Sequence, residues 1–113
     1  MSDSPSIDHW QSKLNRYLEL GDQYADAKAE LSNLDNIKHS ILAMAAKASG
    51  ESSVAAQQRE AYASDDYRQW SRDHYAAVKQ CEGLRLRMRA AELWFEMVRT
   101  LESTRREEMR LSR

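Results

Sequence analysis

Two stretches of seven-residue apolar periodicity, neither broken by proline, constrain this chain more than any other feature. Counting from Trp10, one row holds Trp10, Tyr17, Tyr24 and Leu31, and a companion row holds Leu20, Ala27, Leu34, Ile41 and Ala48. Only Lys13 and Lys38 break the frame. Alternating steps of three and four residues keep one side of a helix turned toward a neighbour, so the pattern predicts a helix over about 7–49. Ser6 suits its N-cap and Gly50 the left-handed residue just past its end. A second frame places Tyr67, His74, Cys81, Met88, Phe95 and Met109 in one row and Trp70, Ala77, Leu84, Ala91 and Val98 in the other, predicting a helix over about 65–110. Ser64 is placed to cap it, with Asp65 and Asp66 at the positive end of its dipole. Between them, Ser52 or Ser53 caps a short Ala- and Gln-rich connector helix over about 54–63.

The expected fold class is therefore all-α: an antiparallel, coiled-coil-like long helical hairpin with a connector helix, within a single domain over 1–113. Three glycines and one proline in 113 residues leave too few turns for a sandwich or barrel. At ~1.5 Å per residue each long helix reaches ~60–70 Å, more than a lone helix sustains in water. Antiparallel pairing sets the start of the first helix against the end of the last, and charge favours it. Residues 1–35 carry three basic and seven acidic side chains, net −4, and residues 85–113 carry eight and five, net +3.

The last helix is apolar on more than its seam. Leu86, Ala90, Leu93, Met97 and Leu101 form another stripe with Trp94 beside it, and the first helix carries Leu14, Leu18, Gly21, Ala25 and Ala29 as a secondary row. One partner helix covers only one seam. The reading is self-association through Leu86, Leu93, Trp94, Met97 and Leu101, with two hairpins forming a homodimeric four-helix bundle. The bland alternative, that these are scattered surface residues, is common on soluble proteins.

Chemistry-bearing signals are sparse, and the expectation is a non-enzymatic protein without a cofactor or metal. His9, His39 and His74 are isolated, with no pair at the spacing that sets two zinc ligands on one helical face. His74 and Cys81 fall on the seam, where a hydrogen-bonded imidazole and a small packed thiol are expected. Asp65/Asp66 and Glu107/Glu108 are neighbours that diverge around a helix. Arg99, Arg106 and Arg113 recur at intervals of seven with Arg110 near them, which makes these four the candidates for nucleic-acid contact. Pairing with interleaved glutamates is the competing role. At the tip of the hairpin, Gln57, Arg59, Glu60, Tyr62 and Tyr67 are the candidate partner-binding residues, unless the two tyrosines close the end of the core. A lone cysteine, a short polar start over Met1–Ser6 and no apolar run of bilayer length point to a cytoplasmic protein off the membrane.

One stretch resembles a known group. Ala55-Ala56-Gln57-Gln58-Arg59-Glu60-Ala61-Tyr62-Ala63, then Asp66-Tyr67, Leu84-Arg85 and Leu101-Glu102-Ser103-Thr104-Arg105 resemble small helical proteins encoded by tailed bacteriophages. Asp65 stands where that group often has proline, and Val98-Arg99 where it has a Trp-Arg pair. Such proteins are often encoded near early recombination and replication genes. The resemblance implies a phage accessory protein in the host cytoplasm that binds a host or phage DNA-processing protein, including modulation of a nuclease. Direct DNA binding through the arginines and a structural role in the virion are the alternatives.

Overall fold

The computed structural model describes residues 6–112. They form three helices and no strand: α1 (Ile7–Ala48), α2 (Val54–Tyr62) and α3 (Asp65–Leu111). The ends follow local chemistry. At the start of α1, Ser6 Oγ accepts the His9 N–H at 3.2 Å. Past its end, Gly50 takes φ +74°, a conformation that costs a side-chain-bearing residue about 1–2 kcal/mol. Ser53 caps α2 by accepting the Ala56 N–H at 3.1 Å. Ser64 accepts the Tyr67 N–H at 3.2 Å while its own hydroxyl donates to the Ala61 carbonyl at 2.6 Å, so one side chain ends α2 and starts α3. Asp65 and Asp66 occupy the first turn of α3, where carboxylates complement the helix dipole.

Contacts gather into two compact units. The connector unit comprises Ala25–Glu82: the later part of α1, all of α2 and the first part of α3. Its buried residues are Ala27, Ala61, Trp70, Ala77 and Cys81, mostly small side chains that let helix backbones approach closely. Trp70 is the exception in size. Its indole N–H donates to the Leu34 carbonyl at 2.8 Å, which satisfies the one polar group such a ring carries into a core. Tyr67 and His74 stack on Trp70 with ring centroids 5.6 and 4.8 Å apart, and Lys38 Nζ lies 5.2 Å from its centroid.

The terminal unit takes in the residues up to Tyr24 and those from Gly83 onward. Here the start of α1 runs antiparallel to the end of α3, with Leu84 and Val98 buried. Trp10 stacks on Phe95 at 5.8 Å, Tyr17 meets Phe95 edge-on at 6.2 Å, and Lys13 Nζ sits 5.2 Å from the Trp94 centroid. The two lysines that interrupt the first apolar frame thus share one explanation. In each unit the lysine places its ammonium over a tryptophan of α3, which keeps its charge at the edge of the seam. Met109, which the sequence assigns to the seam, is instead exposed. With Trp10 against Phe95 and α1 beginning at Ile7, the last turns of α3 pass the start of α1.

This packing yields a stability prediction. Leu84 is 3% exposed, so Leu84→Ala should lower the unfolding free energy by about 2–4 kcal/mol in urea denaturation. Met44→Ala, at a solvent-facing position, should stay within about 0.5 kcal/mol of wild type. Gly50→Ala should cost about 1 kcal/mol through backbone strain alone, because no atom lies within 4 Å of the added methyl.

Candidate interaction surfaces

The described residues hold no cluster of three or more His, Cys, Asp or Glu side chains that could bind a metal ion. Cys81 is a buried free thiol. His74 lies on the seam, but its partner is one the sequence reading did not identify: Nε2 stands 2.8 Å from Asp35 Oδ1 on α1, and the ring packs against Trp70. His9 lies edge-on to Trp94 at 5.7 Å, and His39 is exposed. Among the described residues, no helix is long and apolar enough to cross a membrane.

Four surface features remain. The first is the apolar stripe of α3 in the terminal unit. Leu86, Leu93, Met97 and Leu101 are 62%, 47%, 54% and 61% exposed, and Trp94 beside them is half-buried. On α1 of the same unit, Leu14 and Leu18 are also exposed. Aliphatic side chains at such regular spacing are unlike the scattered apolar residues of an ordinary surface.

The second is an open groove of about 1040 Å³ between the two helices of the terminal unit. Tyr17, Ala90, Ala91, Trp94 and Phe95 form part of its wall, with Lys13, Arg16 and Arg87 interspersed with Asp8 and Glu19 around it. Charges of both signs give it no single-sign field to concentrate an anion. At this groove Tyr17 Oη donates to Glu92 Oε2 at 2.7 Å. That hydrogen bond, then partial desolvation and the nearby negative charge, raise the Tyr17 phenol above its ordinary value.

The third is the connector. Arg59 and Glu60 are exposed, as is Tyr62, whose ring edge meets Tyr67 at 5.0 Å. Gln57 and Tyr67 are half-buried rather than open to a partner. The Gln57 amide donates to the Glu51 carbonyl at 2.8 Å, which ties α2 to the segment before it, and Tyr67 lies on Trp70. Glu60 borders a small cleft of about 400 Å³ with Ala45, Ala48 and Ser64.

The fourth is the arginine strip. Arg99, Arg106 and Arg110 are exposed on α3, whereas Arg113 lies outside the described residues. Arg110 is bound by Glu107 one turn earlier, and that hydrogen bond pushes its guanidinium further above its usual value. Arg89, on the same helix, stands 3.6 Å from Glu92 and 3.9 Å from Glu96. A carboxylate therefore interrupts the positive strip at Arg110, and two more lie beside Arg89 further up the helix.

The chain matches no protein-family model, no curated protein and no solved structure.

The Tyr17–Glu92 contact predicts a pH response with a defined sign. Below the ordinary phenol value of 10.0 Tyr17 keeps its proton whether folded or unfolded, and the contact contributes fully. As pH climbs through the raised folded value, that contribution is lost. Ultraviolet phenolate titration of the folded protein should therefore show a late-ionising tyrosine that disappears in Tyr17→Phe and titrates earlier in Glu92→Gln. A titration curve unchanged by both substitutions would count against the assignment.

Proposed function

We propose that this protein is a non-enzymatic helical interaction protein that self-associates through the exposed stripe of α3 and presents its connector to a second protein. The observation that carries this reading is the row Leu86, Leu93, Met97 and Leu101. Each side chain is about half or more exposed, in a unit whose buried side chains are Leu84 and Val98. Covering apolar surface contributes roughly 25 cal/mol per Å², so a partner on this row gains most where the unit's own core gives least. Arg59, Glu60 and Tyr62 form the recognition patch of the connector, and Gln57 and Tyr67 hold it in shape from behind.

The class of partner comes from the resemblance to small helical phage proteins. It is a DNA-processing protein of the recombination or replication apparatus, with modulation of a nuclease as the expected consequence. A preorganised helical surface favours this role, since little side-chain or loop freedom is lost on docking.

Two measurements test the reading. Light scattering at micromolar concentration should give a mass above one chain for wild type and one chain for Leu93→Glu/Met97→Glu; a well-folded wild-type monomer would remove self-association. Affinity capture from infected cells should retain a DNA-processing protein on wild type and lose it on Arg59→Ala/Tyr62→Ala. Capture of no such protein, together with band shifts on DNA that weaken steeply with salt and vanish in Arg99→Ala/Arg106→Ala, would move the function to the arginines.

A further inference from the structure

The exposed stripe of α3 is spaced as a second seam. Leu86, Ala90, Leu93 and Met97 follow one another at steps of four, three and four, the alternation that seats side chains of one helix between those of another. Arg89 and Glu96 flank it on one side, and Arg87 and Trp94 on the other. Arg89 and Glu96 have side chains 56% and 55% exposed. The helix thus carries a greasy strip with Arg89 and Glu96 along one border, and that charged border discriminates among the ways a second helix can lie on it.

We infer that two copies of this chain join through this strip with their α3 helices antiparallel, about a twofold axis that passes between Ala91 and Glu92. In that arrangement Leu86 of one copy packs on Met97 of the other and Ala90 on Leu93, and each layer occurs twice by symmetry. The small Ala90 lets the helices approach most closely near the axis. On one border Arg89 faces Glu96 of the second copy, twice; on the other Arg87 faces the Trp94 ring, twice. The first border is complementary by charge; on the second, the Trp94 ring already packs with Trp10 and carries the Lys13 ammonium of its own chain at 5.2 Å, so the Arg89–Glu96 pairs are what select the register.

Neighbouring arrangements lose this match. Sliding one helix by seven residues in one direction sets Arg89 against Arg89 and Arg87 against Arg87. Sliding it in the other sets Glu96 against Glu96. A parallel pairing puts Glu96 beside Leu101 and leaves Arg89 facing Trp94 with no carboxylate. Like charges set directly opposite one another act against a register, so the charged border selects one of these four. Within its own helix Arg89 stands 3.6 Å from Glu92 and 3.9 Å from Glu96, and in the dimer it turns to Glu96 of the second copy.

The inference rests on the self-association proposed above, and charge reversal separates the two. Sedimentation equilibrium of wild type should show a dimer. Arg89→Glu alone and Glu96→Arg alone should each weaken it by roughly tenfold or more, since two attractive pairs become two repulsive ones. An equimolar mixture of the two variants should recover wild-type affinity within about threefold, because each mixed dimer again sets opposite charges on both sides of the axis. The double variant Arg89→Glu/Glu96→Arg should recover it likewise. A dimer indifferent to the single reversals, or one that mixing does not rescue, overturns the antiparallel register while leaving self-association standing. A wild-type monomer overturns both.

Discussion

A pair of helices shares a strip one or two side chains wide, and the rest of this protein's structure follows from that narrowness. The buried positions among the described residues are few and mostly small: Ala27, Ala61, Ala77 and Cys81, with Trp70, in the connector unit, and Leu84 and Val98 in the terminal unit. A strip this thin supplies limited apolar burial against the conformational entropy of ordering long helices. The structure compensates at the borders. Aromatic rings lie half in and half out of each seam, and polar groups that reach across the helices hold them there. Trp70 bonds the Leu34 carbonyl, His74 meets Asp35, and Tyr17 meets Glu92. Such side chains combine large contact area with one directional polar group, which sets register in a way that alanine packing does not.

The helical class, and the residues that turn inward, were legible because periodicity is a property of one helix at a time. Trp10, Tyr17, Leu20 and Tyr24 on α1, and Leu84, Ala91, Phe95 and Val98 on α3, line the seam of the terminal unit as their spacing requires. Caps were legible for the same reason, since Ser53 and Ser64 act on amides only three residues away. What escaped the sequence depends on which residues of two helices end up opposite one another. Lys13 and Lys38 look like faults in a heptad until a tryptophan is known to lie beneath each ammonium. Asp35 gives no local sign that it holds His74, nor Glu92 that it accepts from Tyr17. Met109 fits the spacing of the seam but lies past the start of the helix that would cover it.

The surface candidates divide along a similar line. Exposure of Leu86, Leu93, Met97 and Leu101 follows from their angular distance from the seam on the same helix, which the sequence already encodes. The roles of the connector residues are set by contacts beyond a single helix. Gln57 and Tyr62 sit five residues apart in one run of polar and aromatic residues, yet Gln57 ties down the backbone at Glu51 while Tyr62 stays open beside Tyr67. Composition alone assigns them alike. The contacts separate residues that shape the patch from residues that are free to recognise something with it.

Charge placement bears on what α3 is built to meet. A helix selected to hold a phosphate backbone gains from basic side chains whose field is undiluted, because affinity grows with each phosphate neutralised. On α3, Arg89 lies near Glu92 and Glu96, and Arg110 is bound by Glu107. Charges of alternating sign largely cancel beyond a screening length of about 8 Å, which leaves a weak field for attracting a distant polyanion. At contact distance they act differently, each presenting its own sign to whatever side chain lies opposite. Mixed borders of this kind are poor at long-range attraction and good at choosing among registers of a docked helix, and here they flank the apolar row whose burial would drive the docking.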